Sequence, residues 1–172
     1  MNYGMILVLV VLLILLISGC LYYKSRGRRG KRRDRKLRVE ASTEKWPEVR
    51  EFVCGLLDEN DCPERIKYKI EVSLEELFVN IAHYAYPDRT GWVDIHAVLK
   101  NNAITVVMRD GGIPYNPLAR KDPDITLSAE ERRIGGLGVF LVKKYMDEVY
   151  YVYKNGCNQM TMKKAWQPPE GS

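Results

Sequence analysis

The sequence predicts an α+β protein, a two-layer sandwich of helices on a sheet, preceded by one transmembrane helix. Three observations lead there. Residues 1–23 carry no charged side chain, and Met5 to Ile17 is apolar without a break. From Leu37 onward, helical spacings alternate with pairs of strand-like segments and not with single strands, which excludes a doubly wound dinucleotide-binding sheet. The last pair closes on Asn155-Gly156, a strong hairpin signal. With 46% apolar and 28% charged residues, the 172-residue chain is globular in composition and long enough for one domain and an appendage.

The first element is the apolar run. Tyr3 to Tyr23 as a helix would extend about 31 Å, one hydrocarbon thickness, with tyrosines at both ends suited to the interfacial belt. Ile17-Ser-Gly-Cys20 resembles a lipoprotein processing box, but no basic residue precedes the run as a signal peptide requires, so an uncleaved anchor over 1–23 is expected. Residues 24–38 hold ten Lys/Arg against Asp34, a local charge of +9; taken from the overall +5, this leaves −4 for residues 39–172. This stretch reads as a basic juxtamembrane linker, able to meet anionic lipid, and it places the C-terminal domain in the cytoplasm by the positive-inside rule. The folded part is mildly acidic, which disfavours nucleic acid as a partner.

Leu37-Arg-Val-Glu-Ala alternates and starts the domain as a strand. Ser42 or Thr43 can cap a helix carrying Trp46, Val49, Phe52, Val53, Leu56 and Leu57 on one stripe, with Pro47 tolerated in its first turn. Asn60 to Pro63 breaks it. A second helix from about Pro63 to Tyr84 is marked by Ile66, Ile70, Leu74, Leu77, Phe78 and Ile81, and the cluster Tyr86 to Gly91 is a turn. Trp92–Leu99 and Ala103–Arg109 form a hairpin around Lys100-Asn-Asn. Gly111 to Gly138 lacks periodicity and is long enough to be a functional lid. Val139–Tyr145 returns to helix, and Val149–Tyr153 with Met160–Lys164 form the closing hairpin; from Trp166 the chain reads as fraying. The domain is thus placed at 39–166 and a flexible tail at 167–172.

Three segments put polar or glycine residues where a core would not want them. In the second helix, Glu76 and Asn80 stand one turn apart on one face, while Glu75 points about 100° away. A carboxylate there can serve as a general base, and an amide oxygen one turn on can join the shell of Mg²⁺. Asp110-Gly-Gly112 ends a strand, where a carboxylate can accept from an adenine amino group and glycine allows close approach. Gly135-Gly136-Leu-Gly138 precedes a helix, whose N-terminal amides suit phosphate; no Gly-Lys-Ser/Thr follows, so it is not a P-loop. The four cysteines form no Cys-x-x-Cys pair and, with only His83 and His96 available, no structural zinc site is expected; His83, beside Tyr84 on a helix, reads as a packed residue.

In this order the three segments resemble the N box and the two glycine boxes of the Bergerat-fold ATPases, the superfamily of gyrase, histidine kinases and mismatch-repair proteins. Asn80-Ile-Ala-His-Tyr-Ala-Tyr86, Gly135-Gly-Leu-Gly-Val-Phe-Leu-Val and Met146-Asp-Glu-Val149 are similar to stretches of the small anti-sigma-factor serine kinases, from about Val39 to Lys164. The resemblance implies a histidine-kinase-like ATPase fold with ATP and Mg²⁺. It makes Glu76 the base toward a partner serine or threonine and Asn80 the metal ligand. Asp110 reads adenine with Thr161 near it, Gly112, Gly136 and Gly138 line the nucleotide, and residues 115–134 form the lid. Arg132 or Arg133, the latter taken into the site, reaches the phosphates, although Ile134 stands where some relatives carry that arginine.

The activity implied is that of a membrane-tethered serine/threonine kinase and anti-sigma-factor-like switch. It would phosphorylate an anti-sigma-factor antagonist domain, with a sigma factor and a second copy of the chain as further partners. A catalytically silent ATP-binding module that sequesters a protein is the alternative. A sensor histidine kinase would need a phosphoacceptor histidine ahead of the domain, and residues 24–43 contain none.

Overall fold

The computed structural model describes residues 13, 14, 18, 32–119 and 137–167. The expected membrane span at 3–23 lies outside these residues except at three positions, and among the described residues no helix is long and apolar enough to cross a membrane.

Five strands form one antiparallel sheet: β1 (Arg33–Glu40), β2 (Trp92–Lys100), β3 (Ala103–Asp110), β4 (Glu148–Lys154) and β5 (Cys157–Ala165), in spatial order β1-β2-β3-β5-β4. Two of the turns are read directly from chemistry. Asn101 and Asn102 (φ 51° and 56°) join β2 to β3, and Asn155 with Gly156 (φ 54° and 73°) join β4 to β5. Both pairs supply the left-handed backbone that a two-residue hairpin needs.

Helices α1 (Trp46–Asp58), α2 (Glu64–Tyr84) and α3 (Leu137–Tyr145) complete the described elements. Ser42 caps a single 3₁₀ turn, Thr43–Lys45, accepting from the Glu44 N–H at 3.3 Å, and α1 follows with Pro47 in its first turn. The helices bury Val49, Val53, Leu56 and Leu57 of α1 and Ile70, Leu74, Leu77 and Phe78 of α2 against Val93, Ile95, Met108 and Met162 of the sheet. The two central strands show the alternation of a half-buried sheet: β2 and β3 bury every second residue.

Two ends differ from expectation. β1 begins at Arg33, four residues before Leu37, so the C-terminal part of the basic tract pairs in the sheet. Its charges find partners on both faces. Arg33 and Arg35 donate to Glu59 after α1, Asp34 meets His96 Nε2 at 2.6 Å, and Arg38 holds Asp94 through Nε and Nη2 at 2.5 and 2.7 Å. At the other end, Trp166 is no frayed residue: it packs into the core and its N–H donates to the Asn102 carbonyl at 2.9 Å.

Candidate functional site

Helix α2 is the spine of the site. Its buried stripe faces the sheet and leaves Glu76 and Asn80 half-buried on an adjoining face, while Glu75 is exposed. Burial, and after it the neighbouring Glu75 carboxylate, hold Glu76 above the ordinary carboxylate range. That is the direction in which a carboxyl becomes a better proton acceptor. Asn80 Nδ2 donates to the Glu76 carbonyl at 2.7 Å, which ties one amide hydrogen to the helix and leaves Oδ1 free of that bond to act as an acceptor.

The middle of α2 meets the start of α3. A Cβ built on Gly138 would lie 1.9 Å from Glu76 Oε2, so only a glycine lets the first turn of α3 come this close to the carboxylate. The end of α2 meets the turn after β3 in the same way. A Cβ on Gly112 would lie 2.3 Å from the Ala85 carbonyl oxygen, and that oxygen also accepts from the Ile113 N–H at 2.9 Å. One helix thus gathers the segments of Glu76, Gly138 and Asp110-Gly111-Gly112.

Asp110 is 3% exposed. Desolvation raises its pKa, and bonds from Asn158 and the Gly112 N–H pull it part of the way back. Oδ1 accepts from Gly112 N at 2.9 Å and from Asn158 Nδ2 at 2.8 Å. Both bonds fall on Oδ1, so Oδ2 is the carboxylate oxygen left to take a donor. Asn158 is itself fixed: Nδ2 also donates to the Ile113 carbonyl, and Oδ1 accepts from the Tyr151 hydroxyl at 2.7 Å and the Tyr115 N–H at 3.1 Å.

Thr161 is not part of this group. Its Cα pairs with Val107, three residues before Asp110, whereas Asn158 pairs with Asp110. Side chains three apart on a strand point to opposite faces, so Thr161 lies buried on the far side of the sheet and Asn158 takes the place expected for it. Arg133 (with its neighbour Arg132), Gly136 and the lid from residue 120 onward lie outside the described residues; its start, Pro117–Ala119, is a 3₁₀ turn with Pro117 buried. His83 is exposed and meets the Tyr84 ring edge-on at 5.8 Å.

Asn158, Tyr151 and Tyr86 escaped the sequence reading. The signal for Asn158 was present: alternation through Met160 and Met162 puts it on the core face. The sheet's other face, opposite to the one that carries Asp110, has an open groove lined by Lys36, Arg38, Asp94, His96, Arg109 and Gln159. Among the described residues no three His, Cys, Asp or Glu side chains cluster as a metal site, and Cys54, Cys62 and Cys157 are free thiols.

The chain is similar to proteins of known name. The chain is similar to the serine-protein kinase RsbW of Listeria monocytogenes, 26% identical over 99 residues, covering 55% of this chain and 63% of that protein. It is 21% identical over 99 residues to the serine/threonine-protein kinase BtrW of Bordetella bronchiseptica, covering 57% of this chain and 70% of the relative. A crystal structure of the RsbU and RsbW domains of Rv1364c from Mycobacterium tuberculosis superposes with a TM-score of 0.53 at 15% identity, over 76% of this chain and 32% of that one, and so speaks to the fold alone. The chain spans a little under two thirds of the RsbW proteins it matches. The family model of the histidine kinase-like ATPase domain matches residues 39–164, and with its glycines and Asp110 in these positions the chain belongs to that family and is homologous to the RsbW kinases.

Proposed function

We propose that this chain is an ATP-dependent protein serine/threonine kinase whose substrate is an anti-sigma-factor antagonist domain. The observation that carries the reading is the half-buried Glu76 carboxylate, raised in pKa, seated against Gly138 at the start of α3 with Asn80 one turn away. A module that only held nucleotide would need Asn80, Asp110 and the glycines but no such base.

The residues present fit ATP and Mg²⁺. ATP supplies the transferred phosphoryl group and Mg²⁺ neutralises its charge when bound, and phosphoryl transfer then needs mainly positioning. Asp110 Oδ2 accepts the amino hydrogen of adenine, and Gly112 keeps side-chain bulk away from the base. Asn80 Oδ1 is the hard oxygen that would hold the cation. Glu76 accepts the proton of the partner's hydroxyl as its oxygen becomes the nucleophile. The reading also tethers the domain by residues 3–23 on the cytoplasmic side, supported by the basic tract that follows; digestion of the domain by protease added outside intact spheroplasts would overturn that orientation.

The test is transfer of radiolabelled phosphate from ATP to an anti-sigma-factor antagonist domain, with nucleotide binding followed separately. Glu76→Gln should keep ATP affinity near wild type while transfer falls by roughly 10²–10⁴-fold, the usual worth of a general base. Asn80→Ala should weaken Mg-ATP binding itself, and Glu75→Gln should do neither. Transfer at the wild-type rate by Glu76→Gln, or none by the wild type, would leave the chain a nucleotide-binding regulatory module.

A further inference from the structure

The loop between α2 and β2 does more than connect them. Gly111 lies beyond the β2–β3 ladder, which ends at the pair Val93–Asp110, so no strand partner fixes its peptide. Side chains of the loop do so instead. The Gly111 N–H donates to the Tyr86 hydroxyl at 2.7 Å, and that hydroxyl donates to the Trp92 carbonyl at 2.7 Å. A phenol has one proton to give, so both of these bonds are directional and neither can be exchanged for the other. On the other side of the same residue, Arg89 Nη2 donates to the Gly111 carbonyl at 3.1 Å, with its guanidinium carbon 5.5 Å from the Tyr86 ring centroid.

The clamp is itself seated. A Cβ on Gly91 would lie 2.2 Å from the Tyr86 ring, so the ring rests directly on that glycine backbone. The Trp92 indole covers Gly111, where an added Cβ would approach Cζ2 to 3.2 Å. Gly111 is flanked by Asp110, whose Oδ1 holds the Gly112 N–H, and by Gly112, pressed on Ala85. A rotation of the Gly111 peptide would break this cap and turn the Asp110 carboxylate.

We propose that Tyr86 and Arg89 are positioning residues for the adenine end of the site: they hold the Gly111 peptide so that Asp110 presents its unused oxygen to the purine. The inference rests on the assignment of this turn to adenine above. It makes α2 and the loop behind it responsible for both ends of the nucleotide, Asn80 for the phosphates and Tyr86 for the base.

The experiment measures ATP, GTP and inorganic tripolyphosphate binding, each with Mg²⁺, to the full-length chain by calorimetry or displacement. Tyr86→Phe keeps the ring on Gly91 and deletes the hydroxyl. It should weaken ATP by roughly 5–30-fold, the worth of a hydrogen bond whose partner N–H is left unpaired. The preference for ATP over GTP should fall with it, and tripolyphosphate affinity should stay at the wild-type value. Arg89→Ala, at an exposed position, should shift ATP and the preference in the same direction by a smaller factor. If wild type binds ATP and Tyr86→Phe matches it in affinity and preference, the proposal is overturned. Proportional weakening of all three ligands would mark a purely structural role and overturn it equally. A wild-type chain that binds tripolyphosphate but shows no adenine preference would instead remove the adenine assignment, and the inference with it.

Discussion

Replacing Asp110 by asparagine separates the cost of this carboxylate from its use. The two bonds on Oδ1, from the Gly112 N–H and Asn158 Nδ2, can be kept by the amide oxygen. The other position changes from an acceptor to an N–H donor, facing the amino group that adenine would bring. The loss combines a charge-assisted bond, about 1.5–3 kcal/mol, with an unpaired buried donor, about 1–3 kcal/mol. Together these predict that ATP affinity falls by roughly 10²–10⁴-fold. Stability should move the other way. Burial raises the Asp110 pKa in the folded chain above its unfolded value, so the native state holds this proton more tightly than the unfolded chain does. The contribution is fully present below the unfolded pKa and is lost as pH rises through the folded one, leaving an ionised, penalised carboxylate at neutral pH. Asp110→Asn removes that penalty. Its Tm at pH 7 should be no lower than wild type, and any advantage should shrink as pH falls toward the carboxylate range. Calorimetric titration with Mg-ATP and thermal scans from pH 4.5 to 7.5 read both halves. Unchanged affinity would refute the adenine assignment, and a Tm that drops at pH 7 but not at pH 4.5 would refute the pKa argument.

The two glycines that touch α2 should fail differently. In Gly138→Ala the new methyl meets the tip of the Glu76 side chain, which can swing aside, so the fold should survive while phosphate transfer falls by roughly 10-fold or more as the base leaves its position. In Gly112→Ala it meets the Ala85 backbone, which cannot, and thermal or urea unfolding should show a loss of about 1–3 kcal/mol. Thr161→Val, on the far face of the sheet, should leave ATP affinity within about 2-fold of wild type by calorimetry, since it removes no group from the site.

Helix α2 shows why so much of the site was legible. The spacing of Ile70, Leu74, Leu77 and Phe78 fixes the core stripe, and once that stripe is set the shared face of Glu76 and Asn80 follows from 3.6 residues per turn. Asp110-Gly-Gly and the asparagine-rich hairpins are equally local signals, because positive φ and close approach select residue types at the position itself. The start of β1 was not legible. Arg33 and Arg35 look like linker charge until Glu59, more than twenty residues away, is seen to receive them. Tyr86 was hidden for the same reason: its two partners, Gly111 and Trp92, become neighbours only when α2 is laid across the ends of β2 and β3.

Thr161 is the instructive error, since the information against it was in the chain. A resemblance names a residue type near the adenine, and Thr161 is the threonine the last strand offers. Strand geometry takes no account of type. Met160 and Met162 must face the core because the sheet has one apolar side, and a period of two then sends Asn158 inward with them and Thr161 outward. Sliding β5 by one residue would bring Thr161 to the inner face, but it would also expel both methionines and Asn158. The type I′ turn at Asn155-Gly156 and the Asn158–Asp110 bond both oppose that slip. The hydrophobic pattern therefore decides which polar side chain meets Asp110, and the residue it selects is Asn158.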